Sequence, residues 1–180
     1  VKTEAALPLG DFLEYYEDPA ATLEIDNLKG VGAIPWKAVN RPVANFGYTQ
    51  SAYWFRITLN DLSDEDRLLE VSYALLDQIE VWFVGQGQIL SHYATGDHES
   101  FSSRPVSNRY FLFPLPHADN GSLELWMRVR TNGTLEVPAT LWREDAFHQK
   151  EQHVLIVKGI YYGIIIVMIL YNAFIYISVR

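Results

Sequence analysis

From Gly159 to Val179 the chain runs 21 residues without a formal charge. At about 1.5 Å per residue, a helix of that length covers roughly 31 Å, the thickness of a bilayer's hydrocarbon core. A buried helix of a globular domain would carry a polar residue every third or fourth position, whereas here only Asn172 and Ser178 are clearly polar. The segment therefore reads as a transmembrane α-helix. It is too long for the apolar core of a secretory signal peptide and lies at the wrong end.

What precedes it is of another kind. All 22 Asp and Glu and 12 of the 14 Lys and Arg fall within residues 1–153, which carry a net charge of −10. Such a surface repels phosphate backbones, and no basic stripe interleaved with aromatics compensates, so nucleic acid is not an expected partner. With no cysteine in the chain, disulfides and thiolate metal sites are excluded. Residue 1 is Val rather than Met, as expected where a targeting peptide has been removed or left out.

About 150 residues suffice for one domain with a real core. Several segments alternate with period two. In SAYWFRITLN, Tyr53, Phe55, Ile57 and Leu59 share one face, and Ala52, Trp54, Arg56 and Thr58 the other; in SLELWMRVR, Leu123, Leu125, Met127 and Val129 oppose Glu124, Trp126, Arg128 and Arg130. LEVPATLW repeats the pattern, and the Asn132-Gly133 pair before it predicts a tight hairpin with the preceding strand. Further strands are expected at ATLEIDNL, LLEVSYALL, QIEVWFV, QILSHYA and NRYFLFPLP, with a turn at Gly85 to Gly87. Roughly eight strands with frequent turn signals and no long amphipathic helix predict an all-β domain, an antiparallel jelly-roll β-sandwich. EDAFHQKEQHVLIVKG has turn-free helical composition, so a helix is expected to start near Glu144 and run into the span, with at most one break. The expected division is a sandwich over 1–147, a helical connector over 148–158 and the span over 159–180.

The outward strand positions are unusually heavy. Trp54, Arg56, Trp126, Arg128, Arg130 and Glu136 share the polar parity; aromatic faces stack on sugar rings, and Arg forks grip carboxylates. Two loop residues join them as candidate ligand contacts, Asp77 within an apolar strand region and Arg104 on a polar approach to a strand. The same aromatics and arginines equally suit an ordinary sheet surface, with Arg stems packed over Trp. Asp77 equally suits an ion pair to an arginine that holds the fold. The group marks the expected recognition face for a small sugar or carboxylate.

Catalytic patterns are missing. His92, His98, His117, His148 and His153 are scattered, and His148 and His153 are spaced poorly for one helical ligand face. His92 and His98 with Asp97 and Glu99 could form a surface metal site, though a solvated loop accounts for them as well. There is no GxSxG, no glycine-rich phosphate loop and no carboxylate pair singled out for glycoside hydrolysis. No enzyme activity, catalytic residue, metal or cofactor is expected within the chain.

Taken in order, YYEDPAATLEIDNL, YWFRITL, LLEVSYALLDQIEVWFV, the GD, SRP and FLFPLP series from Gly96 to Pro116, and LWMRVRTNGTLEVPATLW followed by EDAF resemble a known family. This is the type 2 extracellular domain of bacterial seven-transmembrane receptors with diverse intracellular signalling modules, and the resemblance covers residues 7–147. It implies a carbohydrate-binding-module-like jelly roll in the periplasm of a Gram-negative bacterium. It further implies that the span is the first of seven inner-membrane helices leading to a diguanylate cyclase, histidine kinase or phosphatase. Charge counting near the span points the other way, since Arg143, Lys150 and Lys158 precede it and only Arg180 follows. The resemblance places residues 1–153 outside and Arg180 at the cytoplasmic edge. The expected partners are a small ligand and the bilayer; the alternative function is a dimerisation or protein-interaction module. Asn172 is read as an amide that bonds across a helix interface.

Overall fold

The computed structural model describes residues 5–30, 34–60, 62, 65–117 and 121–179. Its elements in chain order are β1 (Ala6–Pro8), β2 (Glu14–Asp18), α1 (Ile25–Gly30), β3 (Lys37–Ala38), β4 (Ala44–Tyr48), β5 (Ala52–Leu59), β6 (Arg67–Val71), β7 (Gln78–Gly85), β8 (Gln88–Thr95), β9 (Phe111–Pro114), β10 (Leu123–Arg130), β11 (Thr134–Val137), β12 (Ala139–Arg143) and α2 (Glu144–Val179). The strands form a six-stranded sheet, β3-β2-β5-β10-β7-β8, a four-stranded sheet, β1-β12-β6-β9, and a two-stranded sheet, β11-β4. Every pairing is antiparallel.

The period-two pattern is what the sandwich uses. Tyr53 and Phe55 of β5, Val81 and Phe83 of β7, and Leu125, Met127 and Val129 of β10 line one face of the large sheet. They share a core with Leu69, Val71, Phe111, Phe113 and Leu141 of the four-stranded sheet. Register aligns the rows, since Met127 lies opposite Phe55 on one side and Val81 on the other. A one-residue slip of β10 would put its charged face into this core, so the register is strongly specified.

The expected hairpin through Asn132-Gly133 does not form. β10 is already flanked by β5 and β7, leaving no edge for the segment after the turn. That segment crosses to β4, and Pro138, which has no N–H to give to a ladder, divides it into β11 on β4 and β12 on β6. The β7–β8 hairpin forms as expected, with Gln86 (φ +52°) and Gly87 (φ +77°) both in the left-handed region a two-residue turn requires.

ATLEIDNL is a second correction, because residues 25–30 are helix rather than strand. Its apolar residues Ile25 and Leu28 are three apart and both buried, which suits one helix face. The turn into it is tied by polar groups: the buried Asp18 carboxylate accepts the Leu23 N–H at 2.9 Å, and Asn27 accepts the Glu24 N–H at 3.0 Å.

The chain divides into two compact units, Val1–Glu144 and Asp145–Arg180. α2 is unbroken over its 36 residues, so the allowed break is not used. Among the described residues it is the one helix long and apolar enough to cross a membrane, and none of its apolar window is buried. The Asn172 amide donates to the Met168 carbonyl within the same helix, at 2.8 Å. A partner helix is therefore not required to engage it.

Candidate functional site

The second face of the large sheet carries the heavy outward residues, and register sets them in rows. One row reads Glu14, Arg56, Trp126, Trp82 and His92 across β2, β5, β10, β7 and β8; the next reads Tyr16, Trp54, Arg128, Glu80 and Ala94. A third, shorter row pairs Gln78 with Arg130.

The middle of the first two rows is covered, while their ends at His92 and Ala94 are exposed. Ile25 and Leu28 of α1, with Leu23, Ile34 and Trp36, pack over Trp54, Trp82 and Trp126, whose exposures are only 0%, 7% and 6%. Trp54 stacks on Trp82 at 5.3 Å between centroids, and His92 stacks on the other side of the row at 4.7 Å from Trp82. Trp126 meets the edge of Trp36 at 5.6 Å and donates its indole N–H to Glu124 at 3.0 Å.

The arginines of these rows are committed. Arg56 donates from Nε to Glu14 at 2.7 Å and lies over the Trp36 ring at 4.3 Å. Arg128 donates from Nη1 to Glu80 at 2.9 Å and from Nη2 to the Ala21 carbonyl at 3.0 Å, tying the sheet to the segment that covers it. Two buried donors there, Trp54 Nε1 and Arg128 Nε, have no acceptor among the described residues.

Arg104 and Glu136 lie elsewhere. Arg104 donates to the carbonyls of Asn108 and Arg109, at 2.7 and 2.9 Å, and sits between the Phe101 and Phe111 rings, so it organises its own loop. Glu136 is on β11, opposite Asn45 beside a bulge.

The third row ends in an open pocket of about 160 Å³ lined by Asp77, Gln78, His98, Arg130 and Asn132. Two of the eight residues singled out from sequence, Asp77 and Arg130, meet here. Antiparallel pairing brings the start of β7 beside the end of β10, and the loop after β8 closes one side. Asp77 has no arginine partner among the described residues. One carboxylate oxygen accepts the Asn132 N–H at 2.8 Å, and the other lies 3.6 Å from His98 Nε2. Arg130 is exposed, and no hydrogen bond or ion pair holds its guanidinium among the described residues. Gly96 packs against the backbone of Asp77, where a Cβ would fall 1.9 Å from the Asp77 carbonyl oxygen.

Sequence reading missed Gln78, His98 and Asn132 as members of this cluster. The findable signal was strand order: once β7 and β10 are neighbours, their adjoining ends must share a corner. His92 and His98, considered together as a metal site, part company, the first stacking on Trp82 and the second standing by Asp77. Among the described residues no group of three or more His, Asp or Glu is placed to hold a metal.

An antiparallel sandwich with a polar corner pocket is followed in the chain by an apolar helix long enough to cross a membrane. The family model for the 7TMR-DISM extracellular 2 domain matches residues 10–143, and the chain belongs to that family. It is thus the extracellular domain of a membrane receptor with a candidate transmembrane helix after it. No curated protein matches significantly. Among solved structures, TmCBM61 in complex with beta-1,4-galactotriose is 11% identical with a TM-score of 0.42, over 75% of this chain and 92% of that one. At that distance the likeness transfers no ligand.

Proposed function

We propose that residues 10–143 are a ligand-sensing domain that takes a small sugar or carboxylate at the Asp77–Arg130 pocket. Binding there biases one of two receptor states, and α2 carries the difference into the membrane; a ligand shifts such an equilibrium only by its difference in affinity for the two states. In this reading the domain faces the periplasm of a Gram-negative bacterium from its inner membrane. The output beyond the span is a cytoplasmic module such as a diguanylate cyclase or histidine kinase. The observation that carries the proposal is the uncommitted, exposed Arg130 facing a pocket otherwise walled by polar side chains. Arg56 and Arg128, by contrast, are spent on structure.

The test is a thermal-shift screen of the whole chain in detergent micelles against sugars and carboxylates. The expected result is a saturable rise in Tm with one class, lost in Arg130→Gln. Normal binding by Arg130→Gln would remove the site assignment. Ile89 and Leu90, both exposed on edge strand β8, favour a second reading in which the domain pairs with another copy. Concentration-dependent dimers without any solute, seen by light scattering, would favour it.

A further inference from the structure

The pocket holds two opposite charges that do not neutralise each other. Asp77 and Arg130 both line it, yet no ion pair or hydrogen bond joins them. The Asp77 carboxylate is only 16% exposed, and its one short hydrogen bond uses part of the capacity of two oxygens that can accept about four. Arg130 offers five donors in a fixed fork that matches a carboxylate. A solute entering this pocket meets both a carboxylate and a guanidinium.

Size and wall chemistry narrow the class further. About 160 Å³ is well below the roughly 300–1,000 Å³ of pockets that enclose drug-sized ligands, so the group held inside it is of small-metabolite size. Sugar sites rely on an aromatic platform, and no Trp, Tyr or Phe lines this pocket. Trp54, Trp82 and Trp126 are buried under α1 and its flanking chain, and Trp142 donates to Glu70. We infer that the ligand is a zwitterion of α-amino acid type, its carboxylate on Arg130 and its ammonium on Asp77, with Gln78, His98 and Asn132 as flanking polar contacts. This rests on the solute-binding reading above and chooses among its ligands.

The whole chain in detergent is titrated calorimetrically with each of the twenty common L-amino acids. Each binder is then compared with its decarboxylated amine and its deaminated acid, and D-galactose is run in parallel. The assignment expects at least one amino acid to bind, with both truncated analogues weaker by about tenfold or more, because each leaves a pocket charge unpaired. Arg130→Gln and Asp77→Asn should each weaken the amino acid by a similar factor. Asparagine keeps an acceptor for the Asn132 N–H, so an unchanged melting temperature separates lost binding from lost fold. A deaminated acid that binds within threefold of its parent would overturn the zwitterion, and so would galactose binding that Arg130→Gln abolishes; either leaves the sensor reading standing. No binding by any of these solutes overturns the zwitterion, and it overturns the sensor reading as well if the wider screen of sugars and carboxylates is also blank.

Discussion

The two faces of the six-stranded sheet are covered by different means, the inner one along its length and the outer one around its three tryptophans. The inner face is closed by a second sheet, and its contacts are aliphatic and aromatic throughout. The centre of the outer face is closed by a six-residue helix and a short flanking segment, and three tryptophans, two arginines and their carboxylates make its contacts. One face is held by volume, the other by volume plus polar ties from sheet to cover. A half-polar face can therefore be interior, provided its charges are paired along the strand rows.

The strongest way to break this comparison is at its inner side. Phe83→Ala removes a fully buried ring from the main core and should cost about 3–5 kcal/mol in chemical denaturation. A smaller loss is expected from Arg128→Ala, about 1.5–3 kcal/mol, because it frees Glu80 and releases the Ala21 carbonyl. In that variant, hydrogen exchange should rise in residues 21–28 before it rises in β10. If Arg128→Ala cost as much as Phe83→Ala, or left exchange in α1 unchanged, the outer face would be an ordinary core and the tether idea would fail.

The smallest effect concerns the phenol of Tyr53 on the inner face. Burial, with the Glu17 carboxylate adding to it, holds its phenol above the ordinary 10.0. The folded state thus keeps this proton at a pH where the unfolded chain has released it, so stability falls as pH rises beyond about 10. Urea midpoints at pH 9 and 10.5 should drop further for the wild-type chain than for Tyr53→Phe. Equal drops would show that the phenol does not contribute.

Much of this architecture was readable because burial follows parity. SAYWFRITLN and SLELWMRVR became neighbouring central strands with the inward residues alternation predicts, and an apolar helix long enough to cross a membrane follows the sandwich. The failures have local causes. Asn132-Gly133 has hairpin chemistry, but β10 had no free edge, which only strand order reveals. ATLEIDNL contains Leu23 and Ile25 at strand spacing, and the competing Ile25–Leu28 spacing won because a tryptophan face needed a lid. That lid also explains why parity alone could not separate exposed residues from covered ones: Trp54 and Arg130 share outward parity and differ entirely in surroundings. The pocket was half readable, since Asp77 and Arg130 stood out by charge while their partners depended on how strand ends meet.

Gly96 links two properties of the pocket, its shape and its charge. Its α-carbon lies so close to the 77–78 backbone that any side chain there must push that wall aside, yet glycine contributes no charge of its own. Any residue larger than glycine at position 96 would therefore displace Asp77 and Gln78 together, moving a pocket charge along with the backbone that carries it. The shape of the pocket and the polarity it presents are thus coupled through a single backbone contact.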